Sequence, residues 1–310
     1  TNACPFNCNH SVFSVGSVVN YRQQQLRNFH MNKKAKESRY RTVKAYENSE
    51  FLHSRDARSL RIQAEYLEPE TRFENFNVKD TIVFFGSART KSRRQAQKAL
   101  REAKKSPASK KDLVIAERDL KMSRYYEEAR ELAKQLTYWS KDLSEEGGEH
   151  RFIICTGGGP GIMEAANRGA SEAKGLNIGL NISLPFEQHD NPYITRHLGF
   201  EFHYFFMRKF WFVYLAKVIV VFPGGFGTLD ELFEVVTLDQ TGKLSKPIKI
   251  VLYGEQYWKD IINFEALAEY GTISPDDLDM MYITDNVGDA FDYIITELAE
   301  NALAHPGGVL

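Results

Sequence analysis

The sequence predicts an α/β protein: a Rossmann-like, doubly wound parallel sheet flanked by helices, with a helical N-terminal extension. Three observations carry this. Over residues 81–303, short apolar runs ending in glycine or proline alternate with amphipathic segments. Those runs are largely apolar, without the strict alternation of a half-exposed strand, as expected of strands buried on both faces. Two of the strand-to-helix joints are glycine loops, Gly157–Gly161 and Gly224–Thr228.

Residues 1–30 show no periodicity and read as irregular. Residues from about Arg39 to Leu67 place Tyr46, Leu60, Ile62 and Leu67 among charges, a helical spacing, and Glu68-Pro69-Glu70 is expected to break that helix. Residues 1–80 therefore form an extension, irregular and then helical. The predicted strands are Thr81–Gly86, Phe152–Thr156, Ile178–Ser183, Val218–Phe222 and Ile248–Tyr253, with Phe200–Tyr204 and Met281–Thr284 as weaker candidates. The predicted helices are Tyr125–Leu143, Ile162–Lys174, Phe206–Ala216, Leu229–Thr241, Tyr257–Glu269 and Val287–Leu303. This alternation implies a parallel sheet with helices on both faces. Right-handed crossovers then bring the loops after the strands to one edge, where such sheets bind ligands. Residues 304–310 read as a tail.

A basic helical insertion at about 91–118 interrupts the scheme. Between Lys91 and Lys111 there are nine Lys or Arg and one acid, Glu102. A solvated helical hairpin accounts for it. A nucleic-acid grip is the sharper reading, but no aromatics are interleaved and the whole chain carries a net charge of −1.

Composition excludes several classes. The 310 residues are 43% hydrophobic and 26% charged, which suits a sizeable core. No run of about 18 apolar residues is present, so no transmembrane helix is expected. Ser11–Val19 lacks the basic leader and long apolar centre of a signal peptide. Met31 opens a lysine-rich segment and could serve as a second start. Cys155 lies in an apolar run and reads as a buried thiol, and Cys4, Cys8 and His10 are too few for a zinc site. A reducing, cytoplasmic setting is expected, without a metal or other cofactor.

The first glycine loop, Gly157-Gly158-Gly159-Pro160-Gly161, follows a strand and opens a helix at Ile162-Met163-Glu164. Helix N-termini leave N–H groups unpaired and carry partial positive charge, and glycines let a phosphate approach them. Gly161 follows Gly159 by two residues rather than three, and no acid closes the strand ending Leu180-Asn181-Ile182. That disfavours a dinucleotide fingerprint. No Gly-Lys-Ser/Thr follows, so an NTPase loop is disfavoured too.

The second loop, Pro223-Gly224-Gly225-Phe226-Gly227-Thr228-Leu229-Asp230-Glu231, repeats the architecture. Thr228 is expected to cap the helix and bond phosphate. Glu231, about a turn deeper, is placed for a sugar. Upstream, Arg208-Lys209 sits among Phe205, Phe206, Phe210, Trp211 and Phe212. Cations in so apolar a stretch need an anion: a phosphate, or the Glu231 carboxylate.

These motifs resemble the LOG (Lonely Guy) family. Pro223–Glu231 is similar to its PGGxGTxxE signature and Met207-Arg208-Lys209 to its Arg-Lys motif. Gly157–Met163 is similar to its first glycine loop, as carried by longer bacterial members, and Gly86-Ser87-Ala88-Arg89 to its short Gly-Ser loop. The resemblance spans about residues 80–295. It implies hydrolysis of the N-glycosidic bond of a nucleoside 5′-monophosphate, AMP or a cytokinin riboside monophosphate, by a homodimer or higher oligomer. Arg208 and Glu231 correspond to the family's catalytic pair. The substrate and phosphate contacts correspond to Ser87, Gly157, Gly158, Gly159, Gly161, Met163, Lys209, Gly224, Gly225, Phe226, Gly227, Thr228, Leu229 and Asp230, with Glu187 as a looser base-side or sugar-side match. Phe212 stands where the family often has Met. An older description of the family as lysine decarboxylases finds no cofactor-lysine context here. A nucleotide-binding or sensing protein without turnover remains the alternative, although a pure binder needs no carboxylate beside its anion.

Overall fold

The computed structural model describes residues 42–105, 110–143, 148–184, 191–244 and 246–308. The chain divides into two compact units, 1–57 and 58–310. In the first, the described residues hold a 3-10 turn, Ala45–Glu47, and the short helix α1, Ser49–His53. The Asn48 side chain caps α1, accepting from the Phe51 N–H at 3.2 Å.

The second unit opens with α2 (Arg58–Asn75). Here the sequence expectation fails, because Pro69 lies inside this helix. Proline lacks the N–H that would bond the carbonyl four residues back, and leaving that carbonyl unpaired makes a mid-helix proline costly. The carbonyl in question belongs to Glu65, and the Trp211 indole N–H donates to it at 3.0 Å. The tertiary partner replaces the missing bond.

The order continues β1 (Thr81–Phe85), α3 (Arg93–Lys105), α4 (Lys110–Asp142), β2 (Ile153–Thr156), α5 (Ile162–Glu172), β3 (Asn177–Ile182), β4 (Gly199–Phe202), α6 (Phe205–Tyr214), β5 (Ala216–Val221), α7 (Phe226–Gln240), β6 (Lys249–Tyr253), α8 (Glu255–Ile261), α9 (Phe264–Glu269), β7 (Met281–Thr284) and α10 (Val287–Asn301). The seven strands form one parallel sheet in the order β4-β3-β2-β1-β5-β6-β7. The predicted doubly wound sheet is thus present, the two weaker strand candidates included.

Strand alternation splits the core in two. Val83 and Phe85 of β1, with Ile219 and Val221 of β5, face α2, α6, α7 and Trp258. Ile82, Phe84, Val218 and Val220 face α4, α5 and α10. The basic segment is only partly a separate hairpin: its second arm runs unbroken into α4, which begins at Lys110 rather than Tyr125. The helix expected over Tyr257–Glu269 is two, because the Asn263 side chain caps a new start, accepting from the Ala266 N–H at 3.0 Å.

The strand order reverses between β1 and β5, the switch point at which such sheets bind ligands. The three loops gathered there are joined directly. Ser87 N–H donates to Pro223 O (3.0 Å), and Ser87 O accepts from Ile162 N–H (3.1 Å).

Candidate active site

The second glycine loop opens straight into α7. The helix starts at Phe226, three residues earlier than the sequence suggests, with Gly225 as N-cap. Thr228 is therefore not the cap but the third helical residue, and its side chain packs on Gly224, where an added Cβ would lie 2.1 Å from its Oγ1. The first bond of α-helical span runs from Leu229 N–H to Gly225 O (3.0 Å). The N–H groups of Phe226, Gly227 and Thr228 precede it, as the unpaired donors of a helix start. Nothing lies within 4 Å of a Cβ placed on Gly225 or Gly227. This face of the loop is open to an anion. Gly224 O is pinned by the Tyr257 hydroxyl at 2.5 Å. The Phe226 side chain points outward, 92% exposed, so only its backbone belongs to the loop.

The first glycine loop is built differently. A Cβ on Gly157 would lie 2.4 Å from Arg208 Nη2 and 2.8 Å from Met163 Sδ. Gly161 has φ +74° and its Cβ would meet Ser87 O at 2.2 Å, so neither its backbone nor its surroundings admit another residue. Gly158 lies against the Asn181 amide. These glycines permit close packing of loop on loop, with Arg208 seated against the first of them. Buried amides missed in the sequence reading hold the loop. Asn191 Nδ2 donates to Gly158 O (3.1 Å), Gly159 O (3.2 Å) and Asn167 Oδ1 (3.0 Å), and Thr156 Oγ1 accepts from Gly158 N–H (2.9 Å). Single asparagines carry no motif, so sequence offered no signal for this network. Asn181 Nδ2 is buried beside the loop without a partner among the described residues. Glu187 lies outside the described residues.

Gly157→Ala is expected to destabilise the fold by about 1–3 kcal/mol, as overpacking does. Gly225→Ala, with open space and ordinary backbone, should stay within about 0.5 kcal/mol of the parent. Urea unfolding of the two variants checks the contrast.

Between the loops sit Arg208 and Glu231, brought together as the sequence anticipates for a cation in an apolar helix. Arg208 Nε donates to Leu180 O at 2.8 Å, and Nη1 lies 3.6 Å from Glu231 Oε1. The guanidinium stands over the Phe212 ring, 4.9 Å from its centroid. Phe212 is thus the floor on which Arg208 rests. Burial pulls the Arg208 pKa down, and Glu231 opposes that. Burial pushes the Glu231 carboxyl up to about 7, against the pull of Arg208. Such a value lets one carboxyl exchange protons near neutrality. Burial also draws the Lys209 ammonium down, but bonds to Asp230 (2.8 Å) and Glu234 (3.0 Å) outweigh this and hold it up. Cys155 is buried, which pushes its thiol well up and makes it a packing residue. Among the described residues no cluster of three His, Cys, Asp or Glu could hold a metal ion.

A family model described as "Possible lysine decarboxylase" matches residues 163–294, a span that includes Arg208 and the second glycine loop. A cytokinin riboside 5′-monophosphate phosphoribohydrolase of Arabidopsis thaliana, LOG1, is 42% identical over 61 residues, 19% of this chain and 28% of its own. The Mycobacterium tuberculosis protein of that name is 37% identical over 80 residues, 24% and 40% of the two chains. The Rhodococcoides fascians one is 27% identical over 127 residues, 40% and 62%. Over these stretches the chain is similar to cytokinin riboside 5′-monophosphate phosphoribohydrolases. It spans only 28–62% of the length of these three relatives. A molybdenum cofactor binding protein of Rippkaea orientalis aligns over 70% of this chain and 96% of its own, at 16% identity and TM-score 0.42. That likeness is too distant to speak to ligand or activity. No described helix is long and apolar enough to cross a membrane.

Proposed function

We propose that the protein hydrolyses the N-glycosidic bond of a nucleoside 5′-monophosphate, AMP or a cytokinin riboside monophosphate, giving free base and ribose 5-phosphate. The observation that carries this is a half-buried carboxyl, Glu231, facing a buried guanidinium, Arg208, one turn below the open start of α7. The 5′-phosphate binds the first-turn N–H groups at Gly225–Thr228. Glu231 lies three residues on, about 4.5 Å along the axis, which is ribose depth. Cleavage of C1′–N9 builds oxocarbenium character on the sugar. The Glu231 carboxylate stabilises that charge or takes a proton from the attacking water. Arg208, fixed by Leu180 O and Phe212, keeps Glu231 in place and offsets charge on the departing base. Phosphate binding remote from the reacting carbon serves to position it. In this reading water is the nucleophile, with no metal or redox cofactor, and the protein works in the cytoplasm as a hydrolase of the AMP nucleosidase type. A panel of nucleoside monophosphates, read by base release, tests it. Saturable binding with no base released from any of them would leave a binding protein instead.

We also infer a homodimer or higher homo-oligomer, since Phe205, Phe206, Phe226 and Phe233 of α6 and α7 are 53%, 54%, 92% and 39% exposed beside the site. Light scattering is expected to give a mass of at least twice 35.6 kDa; a monomer across micromolar concentrations would refute it.

A further inference from the structure

A nucleotide phosphate carries between one and two negative charges near neutrality, and the helix start facing it supplies only about half a positive charge. The side chains around that helix start do not make up the difference. Arg208 is set against Glu231, and Lys209 against both Asp230 and Glu234. On this side of the β1–β5 rim two cations meet three acids. If Glu231 is ionised for chemistry, the phosphate lacks a counter-charge there.

The missing charge lies across the rim. The Ser87–Pro223 bond holds the β1 loop against the second glycine loop. Beside that junction is a cavity of about 290 Å³, lined among others by Ser87, Arg89, Lys91, Arg118, Gly224 and Tyr257. Lys91 and Arg118 share one acid, Asp119, at 2.9 and 2.6 Å. Arg89 makes no ion pair among the described residues and is exposed. Its backbone is nonetheless fixed. Arg89 N–H donates to Ser87 Oγ at 3.1 Å, Thr90 is buried, and Ser92 with Gln95 closes the loop into α3 through two bonds of 2.9 Å. An unpaired guanidinium on a rigid loop is set up to take two phosphate oxygens at once.

We propose that Arg89 is the charge partner of the substrate's 5′-phosphate, reaching it over the Ser87–Gly224 rim while the start of α7 donates from the other side. This rests on the nucleoside monophosphate reading above. Its consequence is specificity: Arg89 distinguishes a nucleotide from the nucleoside.

The test compares AMP and adenosine binding to the full chain by calorimetry, in the parent, Arg89→Gln and Arg89→Lys. The parent should prefer AMP. Arg89→Gln should weaken AMP by about 10–100-fold, the range for a hydrogen bond to a charged group, and leave adenosine unchanged. Arg89→Lys should recover part of the loss. In turnover, KM for AMP should rise with kcat retained, because the contact is the same in ground and transition states. A purely structural role would weaken both ligands alike, and that outcome overturns the proposal. Unchanged AMP affinity in Arg89→Gln overturns it as well, with the functional reading intact. Failure of the parent to bind AMP at all would remove both.

Discussion

Under the proposed reaction, Glu231→Gln is expected to lower kcat for AMP by about 10²–10⁴-fold, while the dissociation constant for AMP stays within a few-fold. The substitution keeps shape and hydrogen bonding but removes the charge that the oxocarbenium-like sugar, or the attacking water, requires. Arg208 keeps its bond to Leu180 O and its seat over Phe212, so the site should stay assembled. The pH profile adds a second signature. Burial raises the Glu231 carboxyl from 4.5 to about 7, so the free enzyme holds it protonated below that value. In the proposed reaction the working form is the carboxylate. The kcat/KM for AMP therefore rises with pH through about 7 and levels above it. In Glu231→Gln the residual rate should lose that inflection. A rate that fell as pH rose through 7 would make Glu231 an acid instead. Steady-state kinetics between pH 5 and 9 decide.

Asp80→Asn costs about 3–5 kcal/mol of stability, the range for stripping one partner from a buried ion pair. Asp80 is fully buried just before β1 and pairs with both Arg151 and Lys217, the latter at 3.5 Å. Those cations also tie down the end of the chain: Arg151 donates to Ala302 O (2.8 Å) and Leu303 O (3.1 Å), and Lys217 to His305 O and Gly307 O (3.0 Å each). Asp80 Oδ1 accepts from Gly307 N–H at 3.1 Å. Asparagine fits the space but leaves the buried Lys217 and the half-buried Arg151 without a counter-charge. A domain is stable by only about 5–15 kcal/mol, so this is a large share. The urea midpoint should fall with little change in slope. Because the network lies at the edge of the sheet opposite the glycine loops, the folded fraction should keep its affinity for AMP.

The sheet was legible because buried parallel strands announce themselves as unbroken apolar runs. Where a strand breaks that rule, its bounds are hidden in the sequence. β5 begins at Ala216-Lys217, before the predicted Val218, because Lys217 looks like a surface residue until its pairing with Asp80 is seen. Pro69 looked like a helix end for the same kind of reason: its compensation comes from Trp211, far away in sequence. The start of α7 is masked in the sequence because Gly227 and Thr228 are poor helix formers, though a helix start tolerates both.

In the site, Arg208 and Glu231 were legible from a simple constraint, that a cation in an apolar helix needs an anion. The two glycine loops looked alike in sequence and differ in structure. Gly157 makes room for Arg208 and Gly161 for the β1 loop, whereas Gly225 and Gly227 face open space. Only neighbours distant in the chain separate packing glycines from approach glycines. The same holds for Asn167 and Asn191, which matter by position and form no pattern.

The most direct test of the central claim is incubation of the protein with AMP, followed by identification of both products. The account predicts adenine and ribose 5-phosphate in equal amounts, formed by the parent and nearly abolished in Glu231→Gln. AMP and a cytokinin riboside monophosphate that each bind saturably to folded protein yet both stay intact would contradict it.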